Sequence, residues 1–210
     1  MKNKVIKHSI VIRILHWPNF IFVSLMIWSG ILIYWAYQPY ISIPNKLAEF
    51  LFIEYRLAQG MAWHFFIMWF YSINGVLYLI YLVLSKEILR ILPTFNDLKV
   101  AVPYLLYDLG IIKGCPNFSG DYNPMQRIAY TGVLFVGIGS FLTGVAIYKP
   151  VQFSFLIELF GGYQPARLFH FLFMLSFIFF LMIHLIQVYR AGIKNFYSMI
   201  SEKQIEKNEH

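Results

Sequence analysis

The stretch whose reading decides the fold is RLFHFLFMLSFIFFLMIH, Arg167 to His184. Beyond Arg167 it carries no Asp, Glu, Lys or Arg, yet it holds two histidines, His170 and His184, fourteen positions apart. On an α-helix fourteen residues turn 14 × 100° = 1400°, about 40° short of four full turns, and rise about 21 Å. Both imidazoles therefore share one face, near opposite ends of an apolar helix. A histidine in hydrocarbon has lost water as a hydrogen-bond partner, so it signals a function and a partner elsewhere in the chain.

The remainder of the chain has the same character. Of 210 residues, 59% are hydrophobic, 20% aromatic and only 13% charged, which excludes an ordinary soluble domain. Four uncharged runs, Ile14 to Asn45, Leu57 to Ser85, Ile128 to Tyr148 and Leu168 to Tyr189, each exceed the roughly 20 residues that a spanning helix needs. The expected fold is an all-α integral membrane protein, a four-transmembrane-helix bundle, with helices at about 14–37, 58–84, 127–148 and 168–191. It reads as a single membrane domain over 1–210 that ends in a short charged cytoplasmic tail, 192–210. The first run is too long for the apolar core of a cleavable signal peptide and lacks a small-residue cleavage site, so it is expected to remain in the mature protein. Cys115 is the single cysteine, which leaves no internal disulfide and no CxxCH attachment for a covalently held haem.

Orientation follows from the basic residues. The N-terminus (Lys2, Lys4, Lys7, Arg13), the connection after the second helix (Lys86, Arg90, Lys99, Lys113, Arg127) and the tail (Arg190, Lys194, Lys203, Lys207) hold 13 of 17 lysines and arginines. Lys46, Arg56, Lys149 and Arg167 lie on the other side. The positive-inside rule puts both termini in the cytoplasm, so the net charge of +7 is a topology signal and no nucleic-acid partner is expected. In the connection 85–126, VAVPYLLYDLGI is apolar and tyrosine-bearing but broken by Pro103, as in a piece lying in the interface. On the opposite side PVQFSFLIELFGGYQP is too short to span, and reads equally as a lid over the bundle or as an interfacial loop. The tail ISEKQIEKNEH has the composition of a disordered segment.

Six histidines are present, of which His8 and His210 lie in polar ends. Helix one starts inside and carries His16 at the inner level; helix two starts outside and carries His64 at the outer level. Helix four starts outside, so His170 is outer and His184 inner. The four sort into His64 with His170 and His16 with His184, two imidazoles from different helices at each of two levels. Two bis-histidine haem irons stacked across a bilayer require this arrangement.

Glycines agree with the sorting, because a flat macrocycle needs room where it passes a backbone. Gly30 follows His16 by fourteen residues on nearly the same face, and Gly75 follows His64 by eleven. Arg13 and Arg167 each precede a histidine by three residues, one turn nearer the surface, where a guanidinium can meet a haem propionate or mark the membrane boundary. A metal pathway or an ion pump would add carboxylates or thiolates, and the spans contain no carboxylate or cysteine.

RILHWPNF, WHFFIMWFYSINGVLY, YNPMQRIAYTGV, SFLTGVAIYKPVQFS and LFGGYQPARLFHF together resemble the bacterial transmembrane di-haem cytochrome b family. The likeness is greatest to the thiosulfate reductase cytochrome b subunit type, with the cytochrome b subunits of nickel-iron hydrogenase and formate dehydrogenase more distant. It covers roughly 8–191. The resemblance implies His16, His64, His170 and His184 as axial ligands of two non-covalent heme b groups, and a respiratory-chain protein of the bacterial inner membrane. It also implies quinone or quinol near the inner haem, beside Asn123 and Gln126. From the residues alone Asn123 reads as a helix cap before Pro124. The implied partner is a periplasmic redox enzyme subunit of molybdenum or iron-sulfur type.

The expected function is therefore electron transfer between the quinone pool and an outer partner, as a subunit of an oxidoreductase rather than a complete enzyme. Bis-imidazole ligation fills both axial positions and disfavours direct oxygen or substrate binding at iron. Two rivals stand: a self-sufficient oxidoreductase of superoxide:quinone or ferric reductase type, with Lys149 and Arg167 at a basic outer mouth, and a haem-free transporter or scaffold.

Overall fold

The computed structural model describes residues 4–5, 9–36, 44–53, 56–118, 122–200 and 205–206; His8 and His210 lie outside these. Apart from a two-residue antiparallel ladder between β1 (Lys4–Val5) and β2 (Ile205–Glu206), the described elements are helices: α1 (Ile10–Trp35), α2 (Asn45–Phe50), α3 (Leu57–Leu84), α4 (Glu87–Ile91), α5 (Phe95–Asp108), α6 (Pro124–Tyr148), α7 (Ser154–Leu159), α8 (Tyr163–Ala191) and α9 (Ile193–Ser198).

Four of them, α1, α3, α6 and α8, are long and apolar enough to cross a membrane, the four expected from the uncharged runs. Their large apolar side chains point outward, with Ile14 62%, Phe135 68% and Phe179 66% exposed, as suits helices solvated by lipid. Three of the four begin earlier than the uncharged runs suggest. An apolar run marks the hydrocarbon-crossing portion, whereas a helix end is set by its cap. Ser9 accepts a hydrogen bond from the Ile12 amide and opens α1 four residues ahead of Ile14. Asn123 opens α6 at Pro124, and the Gly161–Gly162 turn, with φ of +82° and +117°, lets α8 begin at Tyr163 rather than near 168.

The chain divides into two compact units, residues 1–78 with 181–210, and residues 79–180. In the first, α1 and α3 run antiparallel. At one end Gly60 of α3 lies against α1, where a Cβ would come within 2.7 Å of Leu32 Cβ and 3.1 Å of the Ile33 backbone nitrogen. At the other end the buried Asn74 donates to the Leu15 carbonyl at 3.2 Å. Leu32, Ala48 and Ile53 form a small core that closes α2 under the end of α1. At the start of α1, Trp17 Nε1 donates to the Met199 carbonyl at 3.0 Å and its ring meets Phe196, so α9 is packed here. The segment after 192 thus contains a helix before the charged tail.

In the second unit α4, α5 and α7 pack on α6. α5 runs through Pro103 as a continuous helix, and its start is held firmly. Thr94 and Asp97 form a capping box, and Arg127 of α6 donates to the same Asp97 carboxylate at 2.8 Å, with Asp97 2% exposed. Burial pushes the Asp97 carboxyl upward, but its bonds from Thr94 and the Arg127 guanidinium outweigh burial and hold it below the usual carboxylate range. α5 keeps Phe95, Leu98, Val102 and Leu105 exposed along one side, the pattern of a helix lying in the membrane interface. α7 is a single short helix with Leu156 buried and Phe155 and Leu159 exposed.

Candidate haem-ligating site

All four helix-borne histidines are half-buried, and the structure brings two of them together directly. The rings of His16 (α1) and His184 (α8) stand with centroids 5.9 Å apart, and His16 also meets Trp17 edge-on at 5.8 Å. Metal–imidazole bonds are about 2.0–2.1 Å long, so two such bonds plus the nitrogen-to-centre distance on each side span about 6.4 Å. The observed pair is within about half an ångström of that, and neutral imidazole is an axial haem ligand, so these residues fit the group.

One turn before His16, Arg13 is buried although Ile10 and Ile14 beside it are 56% and 62% exposed. These three residues with Trp17, Met199 and Ile200 line a groove of about 510 Å³. A covered guanidinium among exposed apolar side chains suits an anion at the edge of the hydrocarbon layer.

His64 (α3) lies near the other end of α1. Its Nδ1 is 3.0 Å from Ser29 Oγ. Ser29 follows His16 by thirteen residues, a rise of about 20 Å along α1, so the first unit alone holds histidines at two separate depths. In the second unit His170 Nδ1 is 3.0 Å from Thr143 Oγ1 of α6. The next residue, Gly144, lets the ring lie close to the α6 backbone, since a Cβ there would sit 3.2 Å from His170 Cε1 and 3.7 Å from Nδ1.

The other expected residues fall as follows. Arg167 is exposed and donates to Gln164 at 3.3 Å, one turn back on its own helix. Gly30 is half-buried beside Ser29, and a Cβ at Gly75 would meet nothing within 4 Å, so the glycine leaves open space beside α3. Asn123 caps α6 in a reciprocal box: its Oδ1 accepts from the Gln126 amide at 2.8 Å, and Gln126 Oε1 accepts from the Asn123 amide at 3.1 Å. Both side chains of the quinone expectation therefore have a local structural task.

Ser29 and Thr143 were missed by sequence reasoning. Their signal is a hydroxyl residue directly before a glycine, Ser29–Gly30 on α1 and Thr143–Gly144 on α6.

Four apolar helices long enough to cross a membrane define a multi-pass membrane protein, and three of them carry half-buried histidines. The chain matches the family model of the prokaryotic cytochrome b561 over residues 7–202, and it belongs to that family. It is thus a b-type cytochrome of membrane electron transfer, and the resemblance to bacterial membrane cytochromes b holds at the level of the family. It is similar to the putative protein-methionine-sulfoxide reductase subunit YedZ1 of Azospira oryzae, with 31% identity over 180 residues, covering 84% of this chain and 87% of that protein. No solved structure matches it.

Proposed function

We propose that this chain carries electrons across the membrane through two b-type haems, one held by His16 and His184 and the other by His64 and His170. The observation that carries the reading is the edge-on His16–His184 pair, 5.9 Å between ring centres with the rings inclined by 62°, from helices far apart in sequence. Haem supplies one-electron chemistry when bound. The protein supplies axial nitrogen donors, a spacing of about 20 Å along α1 and a sheath of apolar side chains. The two compact units act in this reading as one membrane domain in the inner membrane with both termini cytoplasmic, which the distribution of Lys and Arg supports.

Arg13, buried beside His16, holds a propionate of the inner haem, and Arg167 does the same at the outer level. Gly30 and Gly75 give the macrocycles clearance. Quinol gives up its electrons near the inner haem, close to the Asn123–Gln126 cap of α6. The outer haem passes electrons to a periplasmic enzyme of molybdenum or iron-sulfur type. The name of the Azospira oryzae relative favours a partner that reduces methionine sulfoxide over a thiosulfate reductase, and favours a subunit over a self-sufficient superoxide or ferric reductase.

The test is the dithionite-reduced minus oxidised spectrum of the purified protein with pyridine haemochrome quantification. Two low-spin b-type haems per chain are expected, and colourless protein after haem-supplemented expression defeats the reading. Reoxidation of quinol-reduced haem by a purified methionine-sulfoxide reductase with its substrate, but not by that enzyme alone, identifies the partner class.

A further inference from the structure

Two of the four histidines meet a hydroxyl that is itself already committed. Ser29 Oγ lies 2.7 Å from the Leu25 carbonyl and 3.2 Å from the Met26 carbonyl, besides the 3.0 Å contact with His64 Nδ1. Thr143 Oγ1 repeats the pattern on another helix: 2.7 Å from the Gly139 carbonyl, 3.2 Å from the Ser140 carbonyl and 3.0 Å from His170 Nδ1. Both side chains have no exposed surface at all.

A hydroxyl has one proton and two lone pairs, and a carbonyl oxygen can only accept. The 2.7 Å oxygen–oxygen approach therefore takes the hydroxyl proton, since without it two oxygen lone pairs would face each other in a water-free interior. What Ser29 and Thr143 have left for the imidazole is a lone pair. The shared proton between hydroxyl and ring must then come from the ring, so Nδ1 carries hydrogen in both His64 and His170. A neutral imidazole protonated at Nδ1 has its free electron pair at Nε2.

We propose that Ser29 and Thr143 are positioning residues for the haem ligands His64 and His170. Each relays its helix's own carbonyl through a hydroxyl to Nδ1–H, and so selects the tautomer that offers Nε2 to iron, turns the ring and strengthens its donation. The inference rests on the bis-histidine reading above. The repeat on two different helices, in two different compact units, distinguishes it from the ordinary case of a buried serine or threonine satisfying itself on the preceding turn.

The full-length haem-loaded protein in detergent is compared as wild type, Ser29→Ala, Thr143→Val and Thr143→Ser. In Ser29→Ala and Thr143→Val the low-spin ferric EPR signal of one haem is expected to move and its midpoint potential to rise, because the imidazole becomes a weaker donor to ferric iron. Haem affinity at that site is expected to fall roughly 10–100-fold. Thr143→Ser keeps the hydroxyl and is expected to keep the wild-type signal and potential. Unchanged EPR signal and potential in both Ser29→Ala and Thr143→Val, with haem retained, overturn the proposal. An equal change in Thr143→Ser overturns it as well, since packing and not the hydroxyl would then be responsible. Should Thr143→Val not fold, Ser29→Ala removes a single atom, adds none and decides the matter. His64→Ala and His170→Ala separate the two readings. If they retain both haems, the ligand assignment itself has failed; if they lose haem while the hydroxyl variants are silent, only the relay has failed.

Discussion

The two ends of α8 carry the same residue type and hold it in different ways. At His170 the ring is fixed by its own unit, with Thr143 Oγ1 on Nδ1 and the bare backbone of Gly144 against Cε1. At His184 the neighbour is another imidazole, His16, whose ring also meets Trp17 edge-on. One end is aimed by a hydroxyl and a missing side chain, while the other is defined by the pairing of two helices. The difference teaches that a histidine in an apolar helix can be oriented locally, within a few residues of α6, or only by the meeting of elements distant in the chain.

The largest effect should come from breaking the paired end. His184→Ala is expected to reduce haem from two per chain to one and to leave the EPR signal of the outer haem unchanged; equal loss of both haems from a folded protein would show that the two levels are not separate. Next is the ion pair that ties α5 to α6, the helix that supplies Thr143. Removing one partner of a buried pair costs roughly 3–5 kcal/mol, so Arg127→Met should lower the thermal midpoint of the purified protein steeply. The pH dependence has a definite sign. The Asp97 carboxyl lies below its unfolded value, so its stabilisation is complete above the ordinary carboxylate range and is lost as pH falls through the depressed folded value. Thermal midpoints across an acid titration should therefore drop less in Asp97→Asn than in wild type.

Gly144→Ala sharpens the hydroxyl-aimed end. A Cβ at 3.2 Å from His170 Cε1 crowds the ring, with an overpacking cost of about 1–3 kcal/mol and an altered EPR signal for that haem alone. The smallest effect belongs to Asn74→Leu, which removes the donor to the Leu15 carbonyl beside His16. About 1 kcal/mol of stability should be lost, seen as a modest fall in thermal midpoint with little change at His170.

Much of this was legible before any coordinates. Four spans follow from the absence of charge over lengths that match a bilayer, and the two depths of the histidines follow from 1.5 Å per residue along a helix. The Asn123 cap was legible too, since Asn-Pro with glutamine three residues on is a local pattern whose chemistry needs no distant partner. The ends of α1 and α8 were not, because a run of apolar residues reports the solvent around a helix and says nothing of the cap beyond it. Nor was it legible that the Pro103 segment forms one continuous helix or that Asp97 ties it to Arg127 of α6, since that partner lies thirty residues on.

The sequence by itself determined the class of the protein, the number of its spans and the imidazoles it offers, because these depend on composition and on a period that every helix shares. The pairing of His16 with His184 was already expected from their shared level, whereas only the tertiary structure decided that Asp97 meets Arg127 and that Ser29 and Thr143 bring a hydroxyl to a histidine ring nitrogen. A helix in lipid is apolar on nearly every side, so its sequence does not declare which way it is turned. That rotation is settled by close approach at a few small residues, such as Gly60 against Leu32 and Gly144 against His170, and it brings the hydroxyls to the histidines.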